Sequence, residues 1–218
     1  MKFHIITIFP ESFDCFFKTS IIWRANKKWL FDFEIYKLND FSNNKTKRVD
    51  DKAYWMHGQV ISPEPLDKAI NYIFDKVWKK IPVYYMSPKW EILTQVRVEK
   101  FYKKLKNNEF IIICWHYEWI DKRIIDLYVT QEISIWKYVL SSWELATQVF
   151  LDALIRHIPW VLGNSQSLQE DSFSKKLYRK KEYPVYTKPK EFRWLKVPDL
   201  LLSGNHKKIE DWKFNNLK

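Results

Sequence analysis

Apolar residues along the chain fall into two patterns, short unbroken runs and helical spacings, which predict alternating strands and helices. The unbroken runs predict strands at residues 2–9, 33–37, 81–86, 110–114 and 132–135. The helical spacings predict helices at residues 11–18, 65–79, 94–105, 120–127 and 142–158, and a last helix of about ten residues from His206. Strands that alternate with helices are typical of an α/β fold, in which a mostly parallel sheet carries helices on both faces.

The helix predicted at residues 142–158 has the clearest signals. Ser142 is a suitable N-cap, and Glu144 places negative charge in the first turn. The apolar spacing predicts that four residues lie on one side of this helix: Leu145, Val149, Leu154 and Ile158.

Two polar stretches interrupt these elements. Residues 39–58 lack any apolar period and predict a long loop. The period is lost again after residue 162, where a glycine- and serine-containing stretch leads into a basic run. The sequence therefore predicts a main domain at residues 1–162, a linker at 163–173 and a small, mainly helical C-terminal domain at 174–218.

Composition places the chain among globular proteins of the cytoplasm. Of its 218 residues, 46% are hydrophobic and 29% are charged, which excludes a disordered or collagen-like chain. No apolar run approaches the roughly 20 residues of a membrane span. The opening MKFHIITIFPESF has no cleavage site and predicts a strand, not a signal peptide. Cys15 and Cys114 cannot form a disulfide framework, so free thiols in the cytosol are expected.

Positive charge points to a nucleic-acid partner. Lys and Arg number 37 against 26 Asp and Glu, a formal net charge of +11, and they are densest at residues 174–182 and near the C-terminus. Such an excess is the electrostatic signature of proteins that bind phosphate backbones. A lysine-rich but merely solvated surface is the alternative, and charge alone does not separate the two.

The loops that follow three predicted strands are the candidate ligand site. The sequence has no GxxxxGK[ST] or GxGxxG phosphate loop. Cys114, His116 and Glu118 alternate at a strand end, but no second Cys/His pair stands at zinc spacing, so no metal site is predicted. Open parallel sheets bind ligands beyond the carboxyl ends of their strands. The loops after residues 86, 114 and 133 could therefore hold a nucleotide-like cofactor.

Motifs in these loops resemble one known family. They are YYMSP at 84–88, CWHYEWID at 114–121, SIWKYVLSSWELA at 134–146, IPWVLG at 158–163, EDSF at 170–173 and LLSGNH at 201–206. FPESF at 9–13 and RVDDKAY at 48–54 extend the match to nearly the whole chain. In this order they resemble the bacterial tRNA (guanine-N1-)-methyltransferases of the trefoil-knotted SPOUT class.

The resemblance implies a cofactor, a fold and an assembly. Members bind S-adenosylmethionine (SAM) in a deep trefoil knot in the methyltransferase domain and act as homodimers. The matching cofactor residues are Tyr85, Met86, Ser87, Pro88, Trp115, Tyr117, Glu118, Trp119, Ile120, Ser134, Ile135, Trp136, Tyr138, Leu140 and Trp143.

The resemblance also implies the substrate and the catalytic residues. The substrate is the guanosine just 3′ of the anticodon in the tRNA anticodon stem-loop. Asp171 matches the general base that removes the N1 proton, and Arg156 matches the cation that stabilises charge on O6. Without the resemblance, Asp171 would be interpreted as a linker N-cap and Arg156 as a helix-end cation. The basic run predicts the RNA-binding lysines: Lys175, Lys176, Lys180 and Lys181.

Departures from the family pattern concern small residues and the C-terminus. The segment after Tyr54 is WMHGQV, which differs from a glycine-rich family segment, and Ser142 replaces another family glycine. The chain also stops soon after Trp212, so part of the family's C-terminal RNA-binding helices is expected to be missing.

Glycine is scarce and tryptophan abundant, with 3 and 12 residues respectively. Six tryptophans stand where the family motifs have glycine: Trp115, Trp119, Trp136, Trp143, Trp160 and Trp194. Five more fall at probable turn glycines: Trp23, Trp29, Trp55, Trp78 and Trp90. Returning these eleven to glycine gives 14 glycines in 218 residues, close to the usual roughly 7%. The simplest hypothesis is a source that reads UGA as glycine, translated with UGA as tryptophan.

Two other functions stay open at this point. If the tryptophans are real, the chain could be a non-catalytic RNA-binding homologue. An ordinary open α/β enzyme that uses a nucleotide is the second alternative, although the chain has no phosphate loop.

Overall fold

The computed structural model of this protein describes residues 1–55, 57–116, 119–163 and 167–218, in two compact units. The first unit is Met1–Leu162 and the second is Gly163–Lys218. Two predicted cofactor residues, Tyr117 and Glu118, lie outside the described residues. Within the described ranges, no helix has both the length and the apolar character that crossing a membrane requires.

The first unit contains a parallel five-stranded sheet. The strands of the unit are, in chain order, β1 Lys2–Thr7, β2 Asp32–Lys37, β3 Asp50–Lys52, β4 Gln59–Ile61, β5 Val83–Met86, β6 Glu109–Ile113, β7 Trp119–Ile120 and β8 Gln131–Ile133. Five of them form the parallel sheet, in the order β2-β1-β6-β5-β8. All residues of β5 and nearly all of β1 and β6 are buried, so these strands are covered on both faces. The predicted mostly parallel sheet is confirmed.

The helices of the first unit alternate with these strands. They are α1 Asp14–Lys18, α2 Ser20–Lys27, α3 Pro63–Val77, α4 Gln95–Leu105, α5 Lys122–Tyr128 and α6 Trp143–Ile155. In α3, Pro63 occupies a first-turn position that needs no N–H donor, and Leu66, Ala69, Ile70 and Ile73 form the buried stripe. Helix α2 was not predicted from the sequence. It contains Trp23, so the expectation that Trp23 lies in a turn is wrong.

The prediction of a loop at residues 39–58 is wrong in part. A 3-10 turn covers Leu38–Phe41, and β3 pairs antiparallel with β4, which in turn pairs parallel with β7. These strands contain two or three residues each, too few to show a period. Strands β3 and β4 are neighbours in the chain, whereas β7 pairs with β4 from a distant part of it. Helix α5 begins at Lys122, because Ile120 belongs to β7.

The predicted side of the 142–158 helix is also wrong. Leu145 and Val149 are 53% and 51% exposed, whereas Leu154 is fully buried. The residues of α6 that face the core are Trp143, Glu144, Ala146, Thr147, Phe150, Leu151, Leu154 and Ile155. A helix that is apolar on most of its circumference does not reveal its buried side by spacing alone.

The second unit is described by itself. Its elements are α7 Ser167–Glu170, the hairpin strands β9 Glu191–Phe192 and β10 Leu195–Lys196, α8 Asp199–Leu202 and α9 His206–Asn215. Helix α9 confirms the predicted last helix, and the Asn205 side chain caps it by accepting from the Lys208 backbone N–H at 3.2 Å. The role of this segment as a tRNA-binding domain stays a prediction.

A charged cluster ties β1 and β2 to α3. Glu34 accepts hydrogen bonds from Lys2 at 2.7 Å and from the Tyr36 hydroxyl at 2.7 Å, and it also contacts Lys76. Partial burial alone would raise the pKa of Glu34, but these hydrogen bonds outweigh burial and hold the pKa at about 2. The ionised form of Glu34 is therefore more stable in the folded protein than in the unfolded chain.

This cluster predicts an acid-dependent loss of stability. The Glu34 contribution is present above the ordinary pKa of 4.5 and is lost as the pH falls from there towards 2. We expect Glu34→Gln to remove about 1–3 kcal/mol of unfolding free energy at neutral pH, measured by urea denaturation. Asp14→Asn, which breaks only the exposed pair with Lys18, is the control and should leave stability nearly unchanged. Equal effects of the two variants would contradict this assignment.

Candidate active site

Three loops meet at the carboxyl edge of the parallel sheet. They leave the neighbouring strands β6, β5 and β8 at Cys114, Ser87 and Ser134. Backbone hydrogen bonds join two of them, because Ser87 N–H donates to the Ile133 carbonyl at 2.9 Å and Leu93 N–H donates to the Ser134 carbonyl at 2.7 Å. The structure thus brings together the three loops that the sequence singled out. We call the space between them the crevice.

The predicted cofactor residues differ in their burial. Those buried around the crevice are Tyr85, Met86, Ser87, Trp115, Ile120, Ser134 and Trp143. Pro88, Trp119, Ile135 and Leu140 are half-buried, and Trp136 and Tyr138 are exposed. The loop after β8 therefore turns from the buried Ser134 towards solvent, and the Ser134 hydroxyl donates to the Trp136 carbonyl at 3.0 Å.

Stacked indoles fill the crevice. The Trp115 ring lies 4.8 Å from that of Trp143 and 5.2 Å from that of Trp119, nearly parallel to both. The Trp115 indole N–H donates to the Met86 carbonyl. The Lys89 ammonium lies 3.6 Å from the centre of the Trp119 ring, a cation–π contact that no sequence motif indicates.

A buried carboxylate lies below the third loop. Glu144 is fully buried in the first turn of α6, where it accepts hydrogen bonds from Thr7 at 2.6 Å and Ser142 at 2.8 Å. Thr7 ends β1, so this carboxylate fixes the start of α6 to the sheet. The adjacent Cys114 thiol contacts the Thr147 hydroxyl at 3.0 Å, and burial raises the pKa of Cys114 well above its usual value.

The two predicted catalytic residues lie in different units. Arg156 follows the last turn of α6 in the first unit and is half-buried. Asp171 follows α7 in the second unit, also half-buried, and its backbone carbonyl accepts from the Ser174 N–H at 3.0 Å. The predicted linker is thus an ordered turn at this point.

Known proteins match the chain over almost its entire length. A family profile described as tRNA (guanine-1)-methyltransferase TrmD matches residues 1–218. The chain belongs to this family. The tRNA (guanine-N(1)-)-methyltransferase of Clostridioides difficile (strain 630) is 43% identical over 215 residues, which cover 98% of this chain and 90% of the relative. The Oceanobacillus iheyensis protein of the same name is 41% identical, covering 98% and 85%.

A solved structure of the TrmD family agrees with the fold. The crystal structure of tRNA (m1G37) methyltransferase from Aquifex aeolicus superposes with a TM-score of 0.79 at 33% sequence identity, covering 98% of this chain and 88% of that one. The α/β architecture with a mostly parallel sheet is therefore shared with a TrmD enzyme.

The four predicted RNA-binding lysines of this TrmD-family chain lie on one loop of the second unit. Lys175, Lys176, Lys180 and Lys181 are all exposed. Backbone hydrogen bonds order this loop: the Phe173 N–H donates to the Lys180 carbonyl at 2.7 Å and closes the loop, and the Lys180 N–H donates to the Leu177 carbonyl at 2.9 Å in a tight turn. Three lysines are thus presented on a fixed backbone. Lys176 differs because it forms an ion pair with Glu170 at 2.7 Å.

Glu170 is a structural carboxylate of this unit. Hydrogen bonds from Lys176, Tyr183 and Lys213, at 2.7, 2.7 and 3.0 Å, hold the pKa of Glu170 at about 2. Its charge is thereby balanced by lysines within its own unit.

Within the described part of the chain, no group of three His, Cys, Asp or Glu side chains is placed to bind a metal ion.

Proposed function

We propose that this chain methylates N1 of the guanosine just 3′ of the anticodon in tRNA, using SAM as the methyl donor. This proposal rests on family membership: the chain belongs to a methyltransferase family, and its relatives are named tRNA (guanine-N(1)-)-methyltransferases. The crevice supports it, because three loops converge where open parallel sheets bind nucleotide-like ligands. The proposal includes the trefoil knot in the methyltransferase domain and action in the cytoplasm.

With tryptophan at the loop positions, however, the crevice does not fit the cofactor. Trp115 and Trp143 are each 2% exposed, and their stacked rings occupy the space between the loops. A bulky adenosine and its methionine tail need that same space. This observation favours the second candidate, a non-catalytic RNA-binding homologue, if the tryptophans are real.

The chemistry assigned to this chain is proton removal and charge stabilisation. Guanine N1 carries a proton at neutral pH and is a poor nucleophile until that proton is removed. In the proposal, the Asp171 carboxylate accepts the N1 proton while the Arg156 guanidinium stabilises the negative charge that develops on O6. An unpaired loop base is accessible to such residues, since it can be turned out of the RNA stack.

Charge distribution supports tRNA binding by the second unit. Residues 163–218 carry 13 Lys and Arg against 7 Asp and Glu, so about a quarter of the chain supplies more than half of its net charge. Phosphate contacts by such residues give affinity that is strongly dependent on salt. Lys175, Lys180 and Lys181 are the best placed, because Lys176 already pairs with Glu170.

An exposed apolar side of α6 supports the homodimer. Leu145 and Val149, one turn apart, are about half exposed on this helix. Phe9 precedes a second 3-10 turn, Pro10–Phe13, which packs on α6, and Phe9 is 39% exposed. Val139, in the loop before α6, is 77% exposed. Apolar side chains that share a helix face in this way are typical of interfaces between subunits. A second copy of the chain is the occupant that we propose.

The first prediction concerns the base. In the chain that carries glycine at the eleven tryptophan positions, Asp171→Asn keeps the shape of the side chain but removes its basicity, so we expect methyl transfer to tRNA to fall by roughly 10²–10⁴-fold relative to that chain without the substitution. SAM affinity should change little. Transfer of labelled methyl groups under single-turnover conditions measures the effect. Asp211→Asn, an exposed acid on α9, is the control. Methylation at the parental rate by the Asp171 variant would exclude it as the base.

The second prediction concerns RNA affinity. Replacing Lys175, Lys176, Lys180 and Lys181 with glutamine should lower tRNA affinity and flatten its salt dependence by up to about 0.7–0.9 per lost phosphate contact. Titrations at several salt concentrations give the slope. The matched control removes four exposed lysines of the first unit: Lys27, Lys28, Lys80 and Lys103. An identical slope in both variants would show that the loop is only solvated surface.

The third prediction concerns assembly. Leu145→Glu combined with Val149→Lys should convert a dimer to a monomer, because charges would be buried in the proposed interface. Light scattering after size-exclusion chromatography measures the mass. Leu127→Glu, at a residue 70% exposed on α5, is the control and should stay dimeric. A dimer that persists in the double variant would place the interface elsewhere.

A further inference from the structure

Two helices end on a tryptophan with left-handed backbone. Trp29 and Trp78 both have φ of 56°. After α2, the Trp29 N–H donates to Asn26 and the Leu30 N–H to Ala25. After α3, the corresponding bonds run from Trp78 to Asp75 and from Lys79 to Phe74.

This hydrogen-bond pattern is the Schellman motif, whose left-handed position is usually occupied by glycine. A side chain with a Cβ atom is disfavoured there, because the Cβ crowds the following carbonyl. Trp160 repeats the anomaly, with φ of 71° after Pro159. Three of the nine non-glycine residues with positive φ in the described ranges are therefore tryptophans.

Indoles at many of these positions also project into solvent. The exposed fractions are 87% for Trp29, 86% for Trp55, 94% for Trp78, 82% for Trp160 and 75% for Trp194. Tryptophan is normally among the more buried residues, so such exposure gains nothing from its apolar surface. Trp212 contrasts with them. It is half-buried within α9, and its ring contacts those of Tyr183 and Tyr186.

Inside the crevice, by contrast, the indoles are buried where a ligand would need space. Trp115, Trp119 and Trp143 stack upon one another and fill the volume between the three loops. This point rests on the proposed function, because it matters only if the crevice binds SAM. The backbone conformations of Trp29, Trp78 and Trp160 are independent of it.

We propose that the working protein carries glycine at eleven of its twelve tryptophan positions. The same replacement, tryptophan for glycine at eleven positions, explains the left-handed helix ends, the exposed indoles and the filled crevice. It also explains the presence of only 3 glycines in 218 residues. Glycine tolerates positive φ and lets a backbone approach a ligand closely. The positions are 23, 29, 55, 78, 90, 115, 119, 136, 143, 160 and 194, and Trp212 is retained.

Peptide mass mapping of the protein isolated from its source is the decisive experiment. We expect glycine in the peptides that contain positions 29, 78 and 115, and tryptophan in the peptide that contains position 212. Tryptophan at 29, 78 and 115 would overturn the inference. The result does not depend on activity. Glycine at these positions together with no methyl transfer to tRNA would uphold the inference and remove the proposed function.

Calorimetry tests the crevice. The chain with glycine at the eleven positions should bind SAM, whereas the tryptophan chain should give no binding heat at SAM concentrations that saturate the glycine form. Equal SAM affinity of the two chains would contradict the inference at the crevice. Circular dichroism and light scattering on both chains establish that each is folded before the titration.

A single variant tests the backbone argument without any ligand. Trp78→Gly relieves the left-handed strain and loses almost no packing, so the thermal midpoint of the first unit should rise by about 2–8 °C. Trp212→Gly is the matched control and should destabilise α9 and its ring contacts instead. A lower midpoint for Trp78→Gly would contradict the argument from helix ends.

Discussion

The parallel pairing of β5 with β6 and β8 is the constraint on which the candidate site depends. Because these strands run in the same direction, their carboxyl ends lie at one edge, and the loops that begin at Ser87, Cys114 and Ser134 converge there. Because β5 and β6 are buried on both faces, a slip of one residue would exchange the side chains that pack on the two faces, so close packing on each face holds the register. Thr7 and Glu144 extend this order to α6, whose first turn closes the third loop.

Elements with strong local signals could be predicted from the sequence, and elements held by distant partners could not. The apolar run at residues 110–114 predicted β6 within one residue, and the spacing at 65–79 predicted α3 within two. By contrast, β3 and β4 form a hairpin too short to show a period, and β7 forms only because it pairs with β4, far back along the chain. The orientation of α6 failed for a different reason: apolar residues surround most of it, so Leu145 and Val149 look like core residues but face outwards.

The same distinction applies to the site. The meeting of the three loops could be predicted, because the carboxyl ends of parallel strands lie at one edge of the sheet. The contact between Thr7 and Glu144 could not be predicted, because it spans 137 residues and leaves no local signal in the sequence. No local sequence pattern marks Asp171 or Arg156 as catalytic, so only the resemblance to the family indicated their roles. The tryptophans could be questioned from the sequence, but their backbone angles and their stacking required the structure.

One of the two cysteines of the chain is exposed and the other is buried, so their labelling rates can report on opening of the fold. Cys15 is exposed on α1, whereas Cys114 is buried against Thr147 of α6 and its thiol resists ionisation. A reagent that attacks thiolates will therefore modify Cys15 first and reach Cys114 only when α6 separates from the sheet. The rate at which a second label is incorporated consequently measures how often the wall of the crevice opens in solution.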